Sequence, residues 1–242
     1  KWLERGKRPR IMTITIAIVT NRQVQPKTLQ SLLELAHHSN HDLHFVVATE
    51  GYTTAQGRIY CVIQAQKNGS DYILYVDDDM ILEKDALDRL LAHEKEIVGV
   101  NAYSRTLPLS TTVMMMDEKG EYKDPSKNTE YAMRVPEELF EVLAVGTGVV
   151  LIKMEVFDKI DKPWFKFDMH QDGYMLQGED AWFCSQVRER GYKVYCDGSL
   201  RIGHIGNYIY QKSEGFTTFV PSEVAANDFV VESVATSEGI TI

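Results

Sequence analysis

Cysteine is scarce: the 242 residues hold three, which form no Cys-x-x-Cys pair and leave one odd. That count argues against a disulfide framework and against a zinc knuckle, and it fits a reducing cytoplasm. Long apolar runs are missing as well. Residues 14–19 and 142–152 are too short or too interrupted to span a bilayer, and no N-terminal segment resembles a secretory signal, so a soluble protein is expected. Basic charge is in deficit, with 26 Lys+Arg against 35 Asp+Glu and a net charge of −9. Such a balance argues against a broad basic surface for nucleic acid, although a local patch remains open. Residues 1–10 carry five Lys/Arg together with Gly6 and Pro9 and read as a flexible solvated arm. Neither GxxxxGK[ST] nor GxGxxG occurs, which removes the two familiar glycine-rich phosphate loops. Internal repeats and low-complexity segments are also lacking. What remains is an ordinary composition, 44% hydrophobic and 25% charged, in a chain long enough for one well-buried domain.

The pattern along the chain is an alternation of strands and helices. Residues 11–19 alternate Thr with aliphatic residues as a strand does, and end in the hydrogen-bonding loop Thr20-Asn21-Arg22. Pro26 opens a helix to residue 37, and residues 43–48 return as a strand. A second helix is expected over 58–67, a continuous apolar strand of the buried parallel kind over 72–76, a third helix over 84–93 and a strand over 97–102. This rhythm implies an α/β fold: a Rossmann-like, mostly parallel sheet with helices on both faces. From Arg105 to Phe140 the rhythm breaks into an insertion with a hairpin over 111–123. A glycine-interrupted strand is expected over 142–152, a short helix over 154–160 and a mobile aromatic segment over 164–177. A helix then runs from Gly178 to Arg190, with Gly191 as its C-cap glycine, before a strand over 192–196. The tail after Gly206 has no clear period.

Asp77, Asp78 and Asp79 stand at the end of the apolar strand. Like charges so close raise one another's pKa unless a cation or hydrogen-bond donors neutralise them. In extended chain, alternate side chains share a face, so Asp77 and Asp79 are expected to converge on one ligand while Asp78 turns to local hydrogen bonds. Capping of the next helix is the bland alternative. Ligands in open α/β sheets bind at this strand edge.

Tyr-Val-Asp-Asp-Asp-Met at such a strand end resembles the DxD element of GT-A glycosyltransferases, and three later segments resemble that family in the same order. Gly146-Thr147-Gly148 before an apolar strand is similar to the small-residue strand beside the donor sugar. Gly178-Glu179-Asp180 resembles the "ED" helix start, and Gly203-His204 resembles the histidine that often completes the metal site. The resemblance spans residues 11–206. It implies a metal-dependent transfer of one hexosyl unit from a nucleotide-diphosphate sugar, UDP-sugar favoured, to an acceptor hydroxyl. The metal would be held by Asp77, Asp79 and His204. Mn²⁺, or else Mg²⁺, suits carboxylates with one imidazole and would stabilise the departing diphosphate.

Under the same resemblance Asp180 is the general base, supported by Glu179, although acids at a helix start also act as caps. Thr20, Asn21, Arg22, Arg58 and Asp78 are candidate nucleotide-sugar contacts, with Asp77, Gly146, Thr147 and Gly148. Trp164 and Trp182, with Phe165 and Phe167, offer an acceptor platform or an aromatic core. His37, His38, His41 and His44 crowd a helix end, where cations meet the helix dipole. A Gln-x-x-Arg-Trp element is lacking, which argues against a processive synthase and leaves a retaining mechanism open. A nucleotidyltransferase on a related sheet, or a non-catalytic sugar- or nucleotide-binding module, are the alternatives. The acceptor, whether glycan, protein, metabolite or modified base, is not named by the sequence.

Overall fold

A computed structural model describes residues 10–21, 23–49, 51–105, 110–116, 119, 135–206, 208–213 and 216–221. The first half runs β1 (Thr13–Val19), α1 (Pro26–His38), β2 (Asp42–Ala48), α2 (Thr54–Lys67), β3 (Tyr72–Asp77), β4 (Met80–Ile81), α3 (Ala86–Ala92) and β5 (Ile97–Val100). Then come β6 (Leu139–Val142), β7 (Val149–Lys153), a 3-10 turn (Met154–Asp158), β8 (Asp168–Met169) and β9 (Met175–Gln177). The helix α4 (Glu179–Glu189), β10 (Val194–Asp197), β11 (Gly203–Ile205), β12 (Tyr208–Ser213) and β13 (Phe216–Pro221) follow.

Seven strands form the central sheet in the order β2-β1-β3-β7-β5-β10-β6. β1 is parallel to β2 and β3, and β5 to β10. β7 runs antiparallel between β3 and β5, and β6 is antiparallel to β10 at the edge. Most strands therefore point one way, and their carboxyl ends share one edge. Helices cover both faces, so the inner strands are buried on both sides: β5 and residues 72–76 of β3 are continuously apolar, and in β1 the buried Thr15 hydroxyl bonds Ser70 Oγ at 2.8 Å. On one face Cys61 and Val62 of α2 pack with Phe157, Trp164, Phe165 and, from α4, Phe183. On the other, Leu32 and Leu35 of α1 meet Leu87 and Leu90 of α3. A smaller sheet, β13-β12-β11-β4, closes over the edge after β3.

Several sequence expectations change. α2 begins at Thr54, four residues before Arg58, because Thr53 and Gln56 form a capping box with reciprocal side-chain to backbone bonds. Residues 142–152 are not one strand: β6 ends at Val142, β7 starts at Val149, and Gly146-Thr147-Gly148 lies in the connection. Trp164 and Phe165 are not on a mobile segment but are among the most deeply buried side chains. The tail beyond Gly206 contains the β12–β13 hairpin, in register from Tyr208–Pro221 to Ser213–Phe216. Residues 1–9 of the expected arm, and 117, 118 and 120–123 of the expected 111–123 hairpin, lie outside the described residues, and within 111–116 Met114 bridges Ala144.

Candidate functional site

β1 and β3 lie side by side and in parallel, so Thr20 and the three aspartates emerge at the same edge. The chain turns at Asp78 and Asp79 before β4, and the alternation of an extended strand stops there. Each aspartate consequently has its own partner. Asp77 Oδ1 lies 3.3 Å from Arg58 Nη2, and its backbone N–H donates to Gly148 O at 2.8 Å. The Thr20 hydroxyl donates to Asp78 Oδ2, and the Asp78 carbonyl accepts from Gln25 N at the start of α1. Desolvation pushes the Asp78 carboxyl above its ordinary value against the pull of the Thr20 bond, and Asp79 and Asp77 add to the rise. Asp79 Oδ2 accepts from Arg105 Nη1 at 2.8 Å and lies 3.4 Å from His204 Nε2.

His204 comes to the aspartates through the small sheet. β11 pairs antiparallel with β4, setting His204 opposite Met80, and Ile205 N donates to Asp79 O at 2.8 Å. Its Nδ1 is 2.7 Å from the Tyr103 carbonyl, which has no proton to give, so Nδ1 carries a proton and donates it there. Nε2 then faces Asp79 Oδ2 at 3.4 Å, the same oxygen that Arg105 Nη1 holds. The His204 and Asp79 side chains are 12% and 13% exposed, so both are largely shielded from solvent. Among the described residues no three His, Cys, Asp or Glu side chains converge as a complete metal cage. Asp77 Oδ1 is turned to Arg58 instead, so Asp79 and His204 are the carboxylate and imidazole that approach each other in the cleft. Two such groups could hold a cation only together with further ligands from elsewhere.

Arg58 ties this group to α4. Its guanidinium is 4% exposed, with Nε 3.3 Å from Glu179 Oε1 and Nη2 on Asp77. Burial alone would lower its pKa, but Asp77 and Glu179 more than offset that and hold it above the ordinary value. Nη1 is buried without a partner among the described residues. Asp180 Oδ1 accepts from Ala181 N at 2.7 Å in the first turn of α4. Its Oδ2 would stand 3.7 Å from a Cβ on Gly146, while a Cβ on Gly148 would stand 3.5 Å from Asp77 Oδ2 and 2.8 Å from Met80 Cε. The connection 146–148 thus threads between Asp77 and Asp180, tight at Gly148 against the flexible end of Met80 and in ordinary contact at Gly146. Thr147 is buried between those glycines with its hydroxyl unpartnered among the described residues.

A cleft of about 890 Å³ opens over this edge, lined by Thr20, Asn21, Arg58, all three aspartates and His204. Gln23, Gln25, Thr54 and Arg105 also line it. Arg105 is the site residue the sequence reading missed; its one signal is that it is the first cation after β5, where the insertion begins. Arg22 lies outside the described residues. Trp164 is a correction: it is 2% exposed and its indole N–H donates to Phe157 O at 3.0 Å, so it is core and not platform. Phe165 is core too, stacked on Phe183 at 4.9 Å, whereas Phe167 is exposed. Trp182 is partly exposed, with Lys166 Nζ 3.7 Å from the centre of its ring. Of the histidine group, His38 and His41 face Asp88 at 3.8 and 4.0 Å. His41 Nδ1 accepts from Met12 N at 3.3 Å, which puts the ring proton on Nε2 and makes that atom a donor rather than a metal ligand.

Fold and sheet edge together define an α/β domain of the GT-A kind. A crystal structure of A197 from STIV superposes on 94% of this chain and 100% of its own, with TM-score 0.58 and 17% identity. GalNAc-T7, solved with UDP, GalNAc and Mn²⁺, matches 82% of this chain and 45% of its own, with TM-score 0.52 and 12% identity. At these identities the likeness concerns the fold. In sequence the chain is 26% identical over 166 residues to a procollagen-lysine,2-oxoglutarate 5-dioxygenase of Drosophila melanogaster. That stretch is 67% of this chain and 21% of the dioxygenase, so the chain spans about a fifth of that protein. No protein-family profile matches. No helix among the described residues is long and apolar enough to cross a membrane.

Proposed function

We propose that this single domain is a glycosyltransferase that moves one hexosyl unit from a nucleotide-diphosphate sugar, with a UDP-sugar favoured, to an acceptor hydroxyl. The observation that carries the reading is the approach of His204 Nε2 to Asp79 Oδ2 at 3.4 Å, with Nδ1 engaged by the Tyr103 carbonyl, at the carboxyl edge of β3. A Mn²⁺ or Mg²⁺ ion held there would neutralise the charge of the departing diphosphate. GalNAc-T7, which shares the fold, was solved with UDP and Mn²⁺, and that supports the choice of donor and metal.

Thr20, Asn21, Arg22 and Asp78 receive the nucleoside at the end of β1. Asp77, held by Arg58 and thereby kept off the metal, faces the ribose. Gly146, Thr147 and Gly148 flank the sugar, where small residues leave it space. Asp180 accepts the proton of the acceptor hydroxyl, Glu179 anchors the base of the site through Arg58, and Trp182 offers an apolar face to the acceptor.

Calorimetric titration with UDP, GDP, ADP, CDP and TDP, each with Mn²⁺ and with EDTA, tests this. One nucleotide is expected to bind only with metal, and Asp79→Ala to lose that binding. Binding that ignores both metal and Asp79 overturns the reading.

A further inference from the structure

Arg105 holds an unusual position for a cation beside a metal-binding oxygen. Its Nη1 donates to Asp79 Oδ2 at 2.8 Å, the same oxygen that faces His204 Nε2 at 3.4 Å. A guanidinium and a divalent ion cannot both sit close to that oxygen, because like charges at contact distance repel strongly in a partly buried site. The two arginines of the cleft differ in freedom. Arg58 is 4% exposed and committed to Asp77 and Glu179, whereas Arg105 is 53% exposed and pairs with Asp79 from the rim. Three aspartates line the cleft, and an anionic diphosphate entering it needs a cationic partner. Among the described lining residues, Arg105 is the exposed side chain that carries a permanent positive charge. Its planar fork suits two phosphate oxygens.

Resting on the transferase reading above, we propose that Arg105 is a placeholder cation and then a substrate-binding residue. It neutralises Asp79 until a divalent ion takes that oxygen and His204 Nε2. Displaced, it remains tethered at the rim of the cleft and binds the diphosphate of the nucleotide sugar. Arg105 thereby makes metal and nucleotide binding interdependent. It opposes the metal when the metal arrives alone and rewards the pair when both arrive.

The test is calorimetry on the wild-type chain, Arg105→Gln and Arg105→Lys, first with Mn²⁺ alone and then with UDP at saturating Mn²⁺. For Arg105→Gln, Mn²⁺ alone is expected to bind about threefold more tightly, the scale of losing one exposed ion pair. UDP is expected to bind about tenfold more weakly, as loss of a charge-assisted phosphate contact predicts. Arg105→Lys, which keeps the charge but not the fork, should hold Mn²⁺ near the wild-type affinity and bind UDP with intermediate strength. Unchanged Mn²⁺ affinity, or unchanged UDP affinity, in Arg105→Gln while wild type binds UDP with Mn²⁺ overturns the role of Arg105 and leaves the transferase reading standing. Wild type that does not bind UDP with Mn²⁺ overturns both.

Discussion

Arg58 and Glu179, 121 residues apart, meet at 3.3 Å in the buried floor between α2 and the first turn of α4. With Asp77 at 3.3 Å on its other side, the same guanidinium braces the carboxyl end of β3 against the helix that carries Asp180. Removing it leaves two carboxylates without their cation in a poorly solvated place.

Arg58→Met is therefore expected to lower the unfolding free energy by about 3 kcal/mol, the low end for breaking a buried pair, since the Asp77 side chain is 32% exposed and partly solvated. Urea denaturation checks the size. A loss well under 1 kcal/mol would mean that the brace is dispensable to the fold.

Trp164→Ala should destabilise by about 3–5 kcal/mol, because a buried indole and its bond to Phe157 O are both lost. With the folded fraction held constant, the KM for acceptor should not change. A selective rise in acceptor KM with little loss of stability would return Trp164 to the acceptor platform.

Two glycines predict opposite kinds of damage. A Cβ at Gly198 would stand 1.8 Å from the Pro136 carbonyl oxygen, which is backbone and cannot yield without moving the β10–β6 edge. A Cβ at Gly148 meets the methyl end of Met80 at 2.8 Å, which can rotate away, beside Asp77. Gly198→Ala is expected to cost about 1–3 kcal/mol in thermal unfolding. Gly148→Ala should fold nearly as well as wild type while weakening metal-dependent nucleotide binding. Equal melting temperatures for the two variants would contradict this.

Acid stability should depend on Asp197. Burial pushes its carboxyl upward, but bonds from His93 and from the Ser199 hydroxyl and N–H outweigh that, and the net pKa lies below the ordinary value. A depressed folded pKa adds stability that is present above the unfolded value, about 3.9, and is lost as pH falls through the folded one. The wild-type melting temperature should accordingly drop more steeply below about pH 4 than that of Asp197→Asn. Parallel slopes would remove Asp197 from the account.

Much of the fold is legible locally. β3 announces itself as a continuous apolar run because a strand buried on both faces has no polar side to show, whereas β1 shows itself by alternating Thr with aliphatic residues. α1 shows its proline start, and α4 has Gly178 before it and Gly191 after it. The start of α2 was legible too, in Thr53 and Gln56, but its weak apolar periodicity hid the capping box. The aspartate run marks the sheet edge by itself, since three adjacent carboxylates after an apolar strand need partners wherever they lie.

What the sequence determined alone is the order of strands and helices and the acidic strand end, because periodicity, capping and like-charge repulsion act between near neighbours. Which partner each carboxylate receives was decided only by the tertiary structure. The turn at Asp78 breaks the strand alternation that would have aimed Asp77 and Asp79 at one ligand. Pairing of β4 with β11 brings His204 to Asp79, and packing of α2 against α4 sets Arg58 between Asp77 and Glu179. The path from β5 brings Arg105 to the rim. These contacts join residues far apart along the chain, where no local pattern records them, and they exist only once the sheet has brought its strand ends to one edge.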